Sequence, residues 1–193
     1  MQIGKNSFLG CSNLNKITIP TCITKIKFNA FTSCCSLEEV LIPESVTFID
    51  SYSFSLCSSL KRITIPSSVT TIEAHAFQNC ISLEQITIPS SLTTIESDLF
   101  HTCTSLKEIT IPPSVKEIKS MAFRECSSLK EIIIPSSVIK IDIHAFAKCN
   151  SLVKISIPSS ITIINVSTFN NCTSLKEITI PSSVTEIKNY AFC

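Results

Sequence analysis

Cys172-Thr-Ser-Leu175-Lys-Glu-Ile178-Thr-Ile180-Pro181-Ser-Ser-Val184-Thr-Glu-Ile187-Lys-Asn-Tyr-Ala191-Phe192 is one unit of a pattern that fills the chain. Phe8, Phe31, Phe54, Phe77, Phe100, Phe123, Phe146, Phe169 and Phe192 are spaced by 23 residues without insertion or deletion. Three residues after each of the first eight Phe stands a Cys, from Cys11 to Cys172, and three further on a Leu, from Leu14 to Leu175. An aliphatic column from Ile17 to Ile178, an all-Ile column from Ile19 to Ile180, and a Pro column from Pro20 to Pro181 follow. Two more aliphatic columns, Ile23 to Val184 and Ile26 to Ile187, complete the unit. A fixed period of this length is the signature of a solenoid, in which each unit forms one coil of a stack.

The spacing predicts the coil. Leu-x-x-Ile-x-Ile ends in alternation, so its last residues read as a short strand with both Ile turned inward. Pro closes that strand because it cannot donate to a continuing ladder. A turn such as Ser67-Ser68 then leads to a second apolar pair, Val69 and Ile72, on the opposite wall. The segment Ala76-Phe77-Gln78-Asn79-Cys80 returns the chain, and is expected as a 3₁₀ or short helical turn. With only two Gly, Gly4 and Gly10, the chain is expected to use positive φ rarely. A lone coil cannot offset its ordering entropy; stacking closes the ladder and buries both faces. Eight full units cover 8–191, with partial units at both ends, and the whole of 1–193 reads as a single domain.

The pattern C-x-S-L-x-x-I-x-I-P-x-S-V-x-x-I-x-x-x-A-F resembles the BspA-like branch of the leucine-rich repeats. The resemblance spans essentially the whole chain. It implies a β-rich, right-handed coil stack, the leucine-rich-repeat solenoid. It further implies protein binding, adhesion or surface recognition by a non-enzymatic scaffold without a cofactor. Family members often carry Gly after the last Ile column. Here only Gly4 does so, and Lys27, Asp50, Glu73, Glu96, Lys119, Asp142, Asn165 and Lys188 take that place, which could alter the local turn.

Composition narrows the function. Sixteen basic residues against fifteen acidic give a formal net charge of +1, so nothing favours a nucleic acid partner. No run approaches the ~20 apolar residues that span a bilayer. The first residues lack an apolar stretch typical of a secretory signal, so the expected location is the cytoplasm or, by resemblance, the cell surface. Asn165-Val-Ser167 and Asn171-Cys-Thr173 match the glycosylation triplet.

Several residue types suggest chemistry. Eleven Cys invite a disulfide, zinc or redox reading, the alternative to a binding scaffold. Stacked thiols have parallel Cβ vectors and no natural pairing, and there is no C-x-x-C pair for zinc, so the column reads as core. Cys22, Cys35 and Cys193 lie outside it and are where reactivity is expected. His75 and His144 share a column three coils apart and His101 lies in another, so all three read as solvated surface residues. Glu108 and Glu131, neighbours in one strand column, read as part of an ion-pair ladder rather than a glycosidase pair. No Gly-rich phosphate loop occurs.

The outward residues of the longer strand form the candidate binding face, the concave wall that the resemblance implies. The columns hold Lys16, Glu39, Arg62, Gln85, Glu108, Glu131, Lys154 and Glu177, then Thr18, Leu41, Thr64, Thr87, Thr110, Ile133, Ser156 and Thr179. With the preceding residues, seven bases meet six acids, a near-neutral surface suited to hydrogen-bonded protein contact. Leu41 and Ile133 break the Thr column with apolar side chains, and Phe48, Ile139, Val153 and Ile163 stand where other units are polar. A terminal coil shows one apolar face to water. A homodimer through Val184, Ile187, Tyr190, Phe192 and Cys193 is therefore expected, closed by two-fold symmetry.

Overall fold

The computed structural model describes all 193 residues. Every unit folds as one coil, and successive coils stack in parallel with partners offset by 23 residues, as in Lys16 against Glu39 and Ile26 against Ile49. Three-residue strands line one wall: Lys16–Thr18, Glu39–Leu41, Arg62–Thr64, Gln85–Thr87, Lys154–Ser156 and Glu177–Thr179. Each is exposed at its ends and apolar and inward at its centre, as the alternation predicts. Two-residue strands line a second wall, from Gln2–Ile3 to Glu186–Ile187. The ladder on the longer-strand wall is discontinuous: strands pair in twos, and Thr110–Ile133 and Glu131–Lys154 are joined only by single bridges.

Inside the stack, 52 buried residues make one core. Phe8 to Phe192 form an unbroken column of parallel rings, with centroids 5.0–5.9 Å apart. Offset stacking at this spacing is favourable for aromatic quadrupoles and seals each coil to the next. Beside it, each thiol from Cys34 to Cys172 donates to the carbonyl of a Phe one coil back, Cys103 to Phe77 and Cys126 to Phe100 both at 3.2 Å. All eleven cysteines are free; Cys34 through Cys172 of the column are buried, whereas Cys11 is exposed. The first coil is covered on one side only, which also leaves Phe8 and Leu14 half-buried.

The returning segment departs from expectation. No helical turn of either kind forms; the chain makes consecutive tight turns. Sixteen residues other than glycine adopt positive φ, between 54° and 62°. They fall in two columns, two residues before each Phe (Asn29, Tyr52, His75, Asp98) and two after it (Ser33, Leu56, Asn79, Thr102), so positive φ is common here despite the scarcity of glycine. The hydrogen bonding shows why. Ala30, Thr32 and Cys34 donate three residues back, while Asn29, Phe31 and Ser33 donate to Ser51, Ser53 and Ser55 in the next coil. A 3₁₀ run would point every amide along the chain; the left-handed residues turn alternate amides outward to the neighbouring coil. Gly4 is not among the positive-φ residues, so the column after the last Ile needs no glycine.

A second device joins the coils. After each Pro-x, Ser45, Ser68, Ser91, Ser137, Ser160 and Ser183 donate from Oγ to a carbonyl one coil earlier, Ser137 to Val115 at 2.8 Å. Cys22 takes this position in the first full unit. Ser114, after the extra Pro113, has a buried Oγ with no partner.

Candidate interaction surface

Strand alternation carries the outward residues onto the longer-strand wall, where all of Lys16, Glu39, Leu41, Arg62, Thr64, Thr87, Glu108, Thr110, Glu131 and Ile133 are exposed. Some of the wall's charges pair along the stack, while Arg62, Glu108 and Glu131 are in no ion pair. Lys16 meets Glu39 at 2.7 Å, Lys107 meets Glu84 at 2.9 Å, and Lys154 meets Glu177 at 2.9 Å. Gln85 Nε2 donates to Glu108 at 3.0 Å. The hydrogen bond from Lys107 holds the Glu84 carboxyl below its ordinary range, and the bond to Glu177 raises Lys154. Such exposed pairs add little stability.

Alongside these pairs runs the uncharged column from Thr18 to Thr179. Ile133 is 83% exposed and Leu41 49%. Depressions follow this column. One of about 400 Å³ lies beside Leu41 and Thr64, and one of about 330 Å³ lies over Thr64, Thr87 and Thr110. Two more, of about 220 and 200 Å³, flank Ile133 on either side. Neighbouring depressions share lining residues: Thr64, then Thr110, then Ile133. Together they form one shallow trough from Glu39 to Ser156.

The other apolar departures scatter. Val153 borders the wall at 38% exposure, and Ile139 on the second wall is 61% exposed. Ile163 is half-buried, as is Phe48, whose ring faces the Lys25 and Lys27 ammonium groups at 6.0 and 5.3 Å. At the last coil Ile187, Tyr190 and Phe192 are 51%, 65% and 39% exposed, Cys193 is exposed and Val184 is half-buried.

The histidines are not simply solvated. Asp98 lies between two of them, with His101 Nδ1 at 3.0 Å and His75 Nδ1 at 4.0 Å. His75 also stacks on Tyr52 at 4.4 Å. The grouping follows from the left-handed column, which lines up Tyr52, His75 and Asp98 in successive coils. That column is visible in the sequence, but its members meet only when the coils stack. No three His, Cys, Asp or Glu side chains converge at metal-binding geometry. Of the two glycosylation triplets, Asn171 is exposed, while Asn165 is half-buried and spends its Nδ2 on the Ile141 carbonyl at 2.7 Å. No helix is long and apolar enough to cross a membrane.

Short parallel strands, a 23-residue coil and an inward Leu-Ile ladder define a leucine-rich-repeat solenoid. The family model for the BspA type leucine rich repeat region matches residues 1–107 and 93–193, and the chain belongs to that family. Among solved structures, a leucine-rich repeat protein from Bacteroides ovatus is similar at 27% identity and a TM-score of 0.78, over 99% of this chain and 67% of that one. A leucine rich cell surface protein from Faecalibacterium prausnitzii is similar at 29% identity and a TM-score of 0.54, over 99% and 67%. The leucine-rich repeat protein of T. pallidum is similar at 27% identity and a TM-score of 0.61, over 90% and 73%. No curated protein matches the chain.

Proposed function

We propose that this chain is a non-enzymatic scaffold that binds a protein partner through the longer-strand wall. Leucine-rich repeat proteins are generally scaffolds of this kind. The observation that carries the reading is the trough: a continuous depression along Leu41, Thr64, Thr87, Thr110 and Ile133, on a frame held by the Phe column and the hydrogen bonds between coils. Adhesion or surface recognition is the setting we favour, because a similar chain is a cell surface protein. Thiol chemistry is disfavoured, since burial raises the pKa of the column thiols and thiolate is the reactive form.

The test is substitution by column. Arg at Thr87 would fill the trough, whereas Arg at Thr93, exposed but off this wall, would not. Cells or cell-surface extracts from the native host supply the partner. Capture lost with Thr87→Arg and kept with Thr93→Arg supports the wall; the reverse outcome refutes it.

A further inference from the structure

We propose that the stack is hinged at one junction, where 1–92 meets 93–193, and that it opens there into two blocks before either block unfolds. The hinge crosses the middle of the longer-strand wall, between Thr87 and Thr110, and stands whichever face binds a partner.

Successive coils touch along a continuous seam, each residue against the one 23 places later. Across the seam between 70–92 and 93–115, both walls lose their ladder. On the longer-strand wall, Gln85–Thr87 pairs with Arg62–Thr64 behind it and with no strand ahead of it. On the second wall, Thr71–Ile72 pairs only with Phe48–Ile49, and Thr94–Ile95 only with Glu117–Ile118. The amides of Glu73 and Lys119 donate to Ile49 and Ile95 one coil back, whereas Glu96 makes no such bond to Ile72. The Ser bond between coils is missing here too, because the Ser114 hydroxyl has no partner. Every other junction keeps at least one wall paired in strands, together with its Ser Oγ bond.

The core is loosest at the same place. Phe77 and Phe100 lie 5.9 Å apart, the widest step of the ring column. The Phe77 amide reaches the Leu99 carbonyl at 3.1 Å, where the equivalent bonds from Phe54 and Phe100 measure 2.9 Å. The Lys107 amide reaches Glu84 at 3.4 Å, against 2.9 Å for Glu84 to Lys61.

The bonds that still cross the seam decide how it moves. The returning side keeps backbone bonds from His75 to Ser97 and from Asn79 to His101, with Gln78 against His101 at 3.2 Å. Beyond the long Lys107 bond, the walls keep polar side-chain pairs: Lys107 with Glu84 at 2.9 Å, Lys119 with Glu96 at 2.8 Å and Gln85 with Glu108 at 3.0 Å. Such pairs near the surface hold weakly. The returning side is therefore the closed edge of the hinge, and the walls are the edge that opens.

The test is native-state hydrogen exchange on the whole chain, read at single amides. A uniform stack frays from its ends, so its middle coils are the best protected. The hinge reverses this order: the Phe77 and Lys107 amides are expected to exchange about tenfold faster than Phe54 and Glu84, their counterparts one coil earlier. In urea below the global transition, exchange at Phe77 and Lys107 is expected to rise at lower concentration than at Phe54 and Glu84. Protection that peaks at Phe77 and Lys107, or equals that of Phe54 and Glu84, overturns the proposal. One shared urea dependence for all four amides also overturns it, because the stack then opens as a single unit.

Discussion

At the residue scale, the buried thiols are the clearest case of environment setting chemistry. Burial pushes Cys103 up to about 12 and Cys34 and Cys172 to about 11, and raises Cys57, Cys80, Cys126 and Cys149 well above the ordinary thiol range. An unfolded thiol titrates near ~8.5. Above that pH the unfolded chain sheds protons that the folded chain keeps, so stability falls as pH rises. Each fully buried thiol contributes up to about 1.4 kcal/mol per pH unit within that window. The denaturant midpoint is therefore expected to hold constant from pH 7 to 8 and to drop steeply between pH 9 and 11; equal midpoints at pH 7 and 10.5 would contradict the burial. Iodoacetamide at pH 8 should label Cys22, Cys35 and Cys193 quickly and the column from Cys57 to Cys149 only on unfolding. Left-handed residues give a second residue-scale expectation. Leu56 has φ of 60° and is 44% exposed. Asn tolerates this conformation where Leu is strained by roughly 1 kcal/mol, so Leu56→Asn is expected to raise the melting temperature.

At the element scale, the Ser after each Pro-x acts as a stitch between coils. Ser137→Ala removes the Oγ bond to Val115 and leaves that carbonyl short of a partner, which costs about 1 kcal/mol. Ser114 sits in the same column but its buried Oγ has no partner. Ser114→Ala is therefore neutral or slightly stabilising. Urea titrations of the two variants compare them directly, and equal losses would show that the hydroxyl bond is not what the column supplies. The sequence displays this Ser column openly, yet repetition alone does not say whether a small polar residue faces solvent or stitches a coil. Pro113, standing where most other units have Ser, is visible in the sequence in the same way, but its effect on Ser114 depends on where one oxygen lands.

At the scale of the whole molecule, coils hold only their neighbours, so damage spreads along the stack. Phe100 stacks on Phe77 and Phe123 at 5.9 and 5.4 Å and is 1% exposed. Its replacement by Ala is expected to cost ~3–5 kcal/mol. Hydrogen exchange should accelerate in the coils on both sides first. Thr87→Ala on the outward wall should stay within ~0.5 kcal/mol of wild type; equal losses would mean that inside and outside are exchanged.

Period, inward columns and strand placement followed from the sequence alone, because a 23-residue repeat leaves each apolar column one place to go and stacking is the only way to bury it. Outward positions on the longer-strand wall followed for the same reason: strand alternation is local geometry. Three features waited for the tertiary structure. The left-handed returns at His75 and Asn79 arise from amides that must reach the next coil, a demand invisible within one unit. Asp98 between His75 and His101 arises from a column whose members meet only when stacked. Likewise, the trough along Leu41, Thr64, Thr87, Thr110 and Ile133 depends on how neighbouring coils set their outward side chains beside one another, which is decided by distance through space rather than along the chain.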